Sequence, residues 1–193
     1  MKFDIILPSV GRLSLFQAIE SVLHQDYKDW CLWIVCDGMS RLEHIVDSPQ
    51  VKVVHSDVPC HEDFGAWARN KGVALGSNPW IAYIDDDDVW LPNHLSTFSS
   101  LLEENPQATM LRTIGRSFSW RRKSPRSKQV NRRVGQTNST DILTVGMAHT
   151  RALFQLTDGW QPSDNHDKLL WQTMQSLGGL SNVSETVTFE FAR

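Results

Sequence analysis

Four consecutive acids, Asp85-Asp86-Asp87-Asp88, follow the apolar run Trp80-Ile81-Ala82-Tyr83-Ile84. Two carboxylates about 4 Å apart repel by roughly 4 kcal/mol at an effective dielectric of 20, so four in a row need a cation, a proton or full solvation. Mg2+ or Mn2+, hard ions that take oxygen ligands, would meet that need. A solvated turn that also caps the next helix would meet it too. A second acidic group, Asp164 and Asp167 on either side of His166, opens a stretch that reads as a helix start. A carboxylate there can act as a general base, or be an N-terminal helix acid favoured by capping and the dipole. His166 itself is either a hydrogen-bonding partner for a substrate or an exposed side chain, and His149 reads as structural. Cys31, Cys36 and Cys60 form no CxxC pair and read as reduced thiols.

The elements that must hold these groups are visible in the apolar periodicity. Phe3–Leu7 is a short apolar run stopped by Pro8, after which Leu15, Ala18, Ile19, Val22 and Leu23 recur at helical spacing. Cys31–Val35 is a second strand, ending at Cys36-Asp37-Gly38; a short helical segment over Leu42–Val46 and a third strand over Val51–Val54 follow. The spacing then predicts a helix over Ala66–Leu75, the strand Trp80–Ile84, and a helix opened by Pro92 with Leu95, Phe98, Leu101 and Leu102 on one face. Such alternation predicts an α/β class with a doubly wound, mostly parallel sheet, whose ligands sit beyond the carboxyl ends of the strands. The residues that follow the strands are Pro8-Ser9-Val10, Asp37-Gly38, His55-Ser56-Asp57 and the four acids, so a polar, acidic crevice is expected.

Beyond residue 107 the alternation weakens to strands expected at Thr109–Ile114, Val145–His149 and Val183–Phe191. Between the first two lie Arg121, Arg122, Lys123, Arg126, Lys128, Arg132 and Arg133, read as a basic mobile loop over 120–137 or as a lid that meets an anionic ligand. A chain of 193 residues fits one domain burying roughly 70% of its unfolded surface. A net charge of -3 argues against a general nucleic-acid binder. With no apolar run near the ~20 residues of a membrane span, no integral span is expected. Met1 leads straight into a strand without a charged and apolar leader, so the expected location is cytoplasmic.

Ala68-Arg69-Asn70-Lys71-Gly72 followed by Trp80 to Pro92 resembles the central signature of the family 2 glycosyltransferases of the GT-A fold. There an Ala-Arg-Asn-x-Gly helix precedes an apolar strand ending in Asp-x-Asp-Asp, then an aromatic and a proline. Ile6-Leu7-Pro8 with the helix through Ala18 to Tyr27, and Trp33 to Gly38, resemble the same family. The likeness is dense over roughly the first 110 residues and looser after them.

The resemblance implies a metal-dependent, inverting glycosyltransferase of the hexosyltransferase type, with Mn2+ or Mg2+ as cofactor. Its donor would be a nucleotide-sugar, a UDP-sugar first and a GDP-sugar second, and its acceptor a saccharide or lipid-linked saccharide in polysaccharide or glycolipid assembly. Residues 1–107 would form the nucleotide-sugar half and 108–193 the acceptor half of a single domain, of unassigned oligomeric state. Asp85 would reach the ribose or the metal, Asp87 the metal that bridges the diphosphate, and Asp37 the nucleobase, framed by Pro8, Ser9 and Arg69. Asp86 is assigned to the nucleotide-sugar site, and Asp88 to capping the next helix or touching the donor sugar. His166-Asp167 stands as an altered form of the family's Glu-Asp pair, which makes Asp167 the candidate base and Asp164 the second choice. Trp160, with Trp90 or Trp120, and His166 would contact a sugar. Val10 and Cys36 depart from an aromatic and an acid that the family often has, and both bear on base recognition. A degenerate nucleotide- or glycan-binding accessory module, and a nucleotidyltransferase-like metal enzyme, remain the alternatives; for the latter, Pro8 to Arg12 makes a poor phosphate loop.

Overall fold

The computed structural model describes residues 1–38, 48–56, 63–122, 130–137 and 140–192. Among them run strands β1 (Phe3–Ser9), β2 (Trp30–Cys36), β3 (Val51–His55), β4 (Trp80–Tyr83), β5 (Asp88–Trp90), β6 (Met110–Arg122), β7 (Val130–Gln136), β8 (Met147–Thr150) and β9 (Ser181–Ala192). The helices are α1 (Leu15–Leu23), α2 (Ala66–Leu75), α3 (His94–Glu104), α4 (Arg151–Phe154) and α5 (His166–Ser176). The sheet order is β3-β2-β1-β4-β8-β6-β9-β5, with β7 paired to β6.

β1, β2, β3 and β4 are mutually parallel. β1 lies inside that half with Phe3, Ile5, Ile6 and Leu7 fully buried, because a strand covered on both faces has no polar side to show. On one face Phe3, Ile5 and Leu7 pack with Ala18, Ile19 and Val22 of α1 and with Leu95, Phe98 and Leu101 of α3. On the other, Ile6, Ile81 and Tyr83 pack with Ala66 and Val73 of α2 and with Leu170, Trp171 and Met174 of α5. Gly72 lets α2 press onto β1, since a Cβ there would come within 2.6 Å of Ile6 Cγ2. The other half is mixed: β8 runs antiparallel to β4 and β6, β9 parallel to β6, and β5 antiparallel to β9.

Several expectations change. β5 was not foreseen: Asp88-Val89-Trp90 pairs with Phe189–Phe191, a pairing too short and too acidic at its start to show in a pattern. Asp88 therefore opens a strand and does not cap α3, whose N-cap is Asn93 and which begins after Pro92, at His94. Thr144–Gly146 forms a 3-10 turn ahead of β8, which shortens the strand expected from Val145. The basic run is a loop neither at its start nor at its end: β6 and β7 pair antiparallel from Arg116↔Gln136 to Arg122↔Val130. An edge hairpin is held by its backbone bonds and tolerates charge where a buried strand does not. Residues 123–129 lie outside the described residues, as do the expected helix at Leu42–Val46, Asp57 and Cys60. No described helix is long and apolar enough to cross a membrane.

Candidate functional site

β1, β2 and β4 end side by side, with Ser9 in register with Cys36 and Ile6 with Tyr83. The residues that follow them line a cavity of about 390 Å³ with the start of α2 and one side chain of α5. Its walls are Pro8, Ser9, Val10 and Arg12; Asp37; Phe64, Gly65, Ala68 and Arg69; Asp85, Asp86 and Asp87; and His166. Three acids from β4, one from β2 and two arginines thus converge from segments up to 75 residues apart in the chain, and they do so because parallel strands point their carboxyl ends the same way.

The four acids, identical in type, have four different surroundings. Asp86 is 2% exposed and accepts hydrogen bonds from Ser9 Oγ at 2.8 Å, from the Val10 amide at 3.1 Å and from the Arg12 guanidinium at 2.5 Å. Its oxygens are engaged in bracing the β1–α1 turn, and the residue also stands among those that line the cavity. Asp85 accepts from Arg69 at 2.6 Å and keeps 29% of its side chain exposed toward the cavity. Arg69 is buried; it also donates to the Phe64 carbonyl at 2.7 Å and stands 4.9 Å over the Trp160 ring, and its Nε has no partner. Asp87 is exposed, 3.5 Å from Arg12. Partial burial pushes its carboxyl up, against the pull of Arg12 and with the help of Asp85 and Asp86. Asp88 is buried, and burial together with Asp85 and Asp87 holds its carboxyl far above the usual carboxylate range.

At the other wall, His166 and Asp167 form an ion pair at 2.6 Å in the first turn of α5. The second Asp167 oxygen accepts from the Thr144 amide at 3.0 Å. Burial pushes the Asp167 carboxyl up, but these hydrogen bonds and the imidazolium outweigh it and hold the group below its ordinary value. For His166 burial lowers the value and the bond to Asp167 raises it further, so the net shift is upward. The other ring nitrogen meets the Ser163 carbonyl at 2.8 Å, so both nitrogens act as donors. His166 lines the cavity, and Asp167 lies directly behind it. Asp164 is exposed and not among the lining residues.

The tryptophans do not serve as expected. Trp160 is 1% exposed, edge-on to Tyr83 and beneath Arg69, so it supports the site's arginine and offers no face to a sugar. Trp90 is 2% exposed and stacked on His94. The Trp120 side chain lies outside the described residues. His149 is wholly buried, meets the Tyr83 hydroxyl at 2.9 Å and is structural. Cys36, at the end of β2, is a buried free thiol pushed up to about 11 by burial. Three members of the site escaped sequence reasoning. Arg12 had a signal, a cation three residues past a strand end, whereas Phe64 and Thr144 reach the site only through tertiary packing.

A model described as glycosyl transferase family 2 matches residues 4–157. WcaA of Escherichia coli (strain K12), a putative colanic acid biosynthesis glycosyl transferase, is 37% identical over 103 residues, 49% of this chain and 36% of that protein. WfgD of Escherichia coli, a UDP-Glc:alpha-D-GlcNAc-diphosphoundecaprenol beta-1,3-glucosyltransferase, is 32% identical over 109 residues, 53% of this chain and 41% of that one. Among solved structures, S. aureus TarS 1-349 in complex with UDP-GlcNAc matches all of this chain and 59% of its own, with a TM-score of 0.78 at 15% identity. The mannosyltransferase PcManGT from Pyrobaculum calidifontis, in complex with GDP-Man and Mn2+, matches all of this chain and 56% of its own, with a TM-score of 0.70 at 12% identity. The fold is that of the GT-A glycosyltransferases. The chain spans 36% and 41% of the two curated relatives and less than two thirds of either solved chain.

Proposed function

Given that the chain belongs to glycosyl transferase family 2, we propose that its cavity binds a nucleoside-diphosphate sugar with a divalent cation and that the sugar passes, with inversion, to an acceptor hydroxyl. The observation that carries this reading is the convergence of Asp37, Arg69, Asp85 and Asp87 on one cavity at the carboxyl ends of three parallel strands. The complexes of TarS with UDP-GlcNAc and of PcManGT with GDP-Man and Mn2+ support both the ligand class and the ion.

The acids suit a hard dication. Asp87 is exposed to the cavity with its carboxyl pushed up by burial and by its neighbours, and Asp88 behind it is pushed up further, so the cluster is short of positive charge. Among the described residues no three of His, Cys, Asp and Glu group as a metal site. Asp87, with Asp85, would hold the ion, and diphosphate oxygens and water would complete its shell. Once bound, the ion would neutralise charge that develops on the departing diphosphate.

The chain's own residues do the rest. Arg69, fixed by Phe64 and by its place over Trp160, holds Asp85 in one orientation toward the ribose or the ion. Asp37 meets the base edge, with Pro8 and Ser9 beside it. The imidazole of His166 donates from both nitrogens, which leaves Asp167 as the candidate base; its carboxylate accepts from His166 and Thr144 and does not itself line the cavity, so the acceptor hydroxyl would have to reach it past the His166 ring. The acceptor would be a saccharide or a lipid-linked saccharide, the class printed in the name of WfgD.

The test is a thermal-shift panel of UDP, GDP, CDP and dTDP sugars, each with Mn2+, Mg2+ or EDTA. A ligand at 100 times its dissociation constant adds about 2.7 kcal/mol. The expected result is a cation-dependent shift with one nucleotide, lost in Asp87→Ala and kept in Asp167→Asn, which binds donor without transferring sugar. No shift with any nucleotide would refute the reading, and transfer by Asp167→Asn at the parent rate would refute the base.

A further inference from the structure

Phe64 is the one residue other than glycine with a left-handed backbone, at φ 56°, among those described. A bulky side chain is disfavoured there, and Gly65 after it, at φ 76°, is the residue type such a turn prefers. The turn is firmly built. The Asp63 carboxylate accepts from the Gly65 amide at 2.9 Å and the Trp67 amide at 2.5 Å, and the Phe64 carbonyl accepts from Arg69. Yet the ring is 50% exposed, and its ring neighbour among the described residues is the His166 imidazole, 6.4 Å away across the cavity wall. Strain kept without burial points to a use for the side chain.

That ring lines the cavity, and with Trp160 and Trp90 buried, the other aromatic ring among the described lining residues is the imidazole of His166. Val10, 46% exposed, is the other large apolar side chain lining the same cavity. Asp37, a carboxylate that suits the N–H edge of a heterocycle, stands among the same lining residues. We propose that Phe64 is the stacking platform for the nucleobase of the donor, which lies between the Phe64 ring and the Pro8–Val10 segment with its polar edge toward Asp37. This rests on the nucleotide-sugar reading and adds the residue that grips the base: an apolar face supplied by the turn before α2, which accepts a pyrimidine or a purine because each has a π-face. Phe64 then contributes binding that the phosphates do not.

The experiment measures affinities of UDP, GDP and inorganic pyrophosphate, each with Mn2+, for the parent chain, Phe64→Leu, Phe64→Gly and Phe64→Trp. The expected result is a roughly tenfold loss for UDP and GDP in the Leu and Gly variants, the size of one base–aromatic stack, near-parent affinity in the Trp variant, and pyrophosphate unchanged throughout. Phe64→Gly should melt no lower than about 2 °C below the parent, since it relieves the strained turn. Nucleotide affinities within twofold of the parent in both Leu and Gly variants would overturn the proposal and leave the donor reading standing. An equal loss for pyrophosphate would overturn it too, by assigning the turn to Arg69 and the phosphates. A parent chain that binds no nucleotide would defeat both readings.

Discussion

Asp86 and Asp87 are adjacent and chemically identical, yet their replacement by asparagine should have opposite signatures. Asp86 is buried under three donors, Ser9 Oγ, the Val10 amide and Arg12. A hydrogen bond to a buried charged group contributes about 1.5–3 kcal/mol. The Ser9 hydroxyl and the Val10 amide share one Asp86 oxygen and Arg12 takes the other, so asparagine keeps the first two as weaker bonds to a neutral acceptor and turns its NH2 toward Arg12. Arg12 is 52% exposed and its pairing, screened by water, adds less than about 1 kcal/mol. Two weakened bonds at about 0.5–1 kcal/mol each and the lost Arg12 pairing sum to about 2 kcal/mol for Asp86→Asn, which in a domain of this size lowers the melting temperature by roughly 4–8 °C. Asp87→Asn removes an exposed carboxylate whose neighbours already disfavour its charge, so its melting temperature should stay within about 2 °C of the parent while the cation-dependent nucleotide shift disappears. Calorimetry of both variants without ligand, then thermal shifts with Mn2+ and nucleotide, measure the two effects separately. If Asp86→Asn melts with the parent, or if both variants fall by the same amount, the division into a bracing acid and a binding acid is wrong.

The His166–Asp167 pair predicts a pH dependence. The histidine is raised, so its share of stability is complete below its unfolded value of about 6.5 and is lost as pH rises through the higher folded value; the aspartate is lowered, so its share is complete above about 3.9 and is lost as pH falls through the lower folded value. The melting-temperature gap between the parent and Asp167→Asn should therefore be widest near pH 5–6 and shrink by about pH 9; a gap that does not vary with pH would refute the pair. Arg12→Gln removes a charge 3.5 Å from Asp87, where the water-screened interaction is about 1 kcal/mol. Mn2+ alone should then bind about fivefold more tightly, read from the free-ion resonance signal; weaker binding would mean that Arg12 helps to hold the ion's site together.

What the sequence made legible follows burial. Strands β1, β2 and β4 are covered on both faces, so they read as continuous apolar runs, and the polar residues just beyond them were identifiable as one crevice before any coordinate was known. The turn that points Asp86 back at Ser9 and leaves Asp87 outside depends on which backbone atoms are nearby, and four like letters cannot carry that. The burial of Trp160 follows from contacts with Tyr83 and Arg69, far away in the chain, so a sugar-stacking role looked equally apt in one dimension. The basic segment read as a loop because its run of charges masks the backbone pairing that β6 and β7 make. Phe64 carried no signal at all, since its backbone angle is a product of the completed turn.

The side-chain amide of Asn70, on α2, makes a reciprocal pair with the backbone of Trp160, donating to its carbonyl at 2.9 Å and accepting from its N–H at 2.9 Å. Gly159, at φ 72°, makes room for it, because a Cβ there would sit 2.6 Å from the Asn70 oxygen. Six residues after Trp160 comes His166, so a single amide acts as a gauge block between the helix that carries Arg69 and the turn that leads to the proposed base. The spacing across the site is machined at one point, and a change of only a methyl group at Gly159 would alter the reach between two groups that never touch each other.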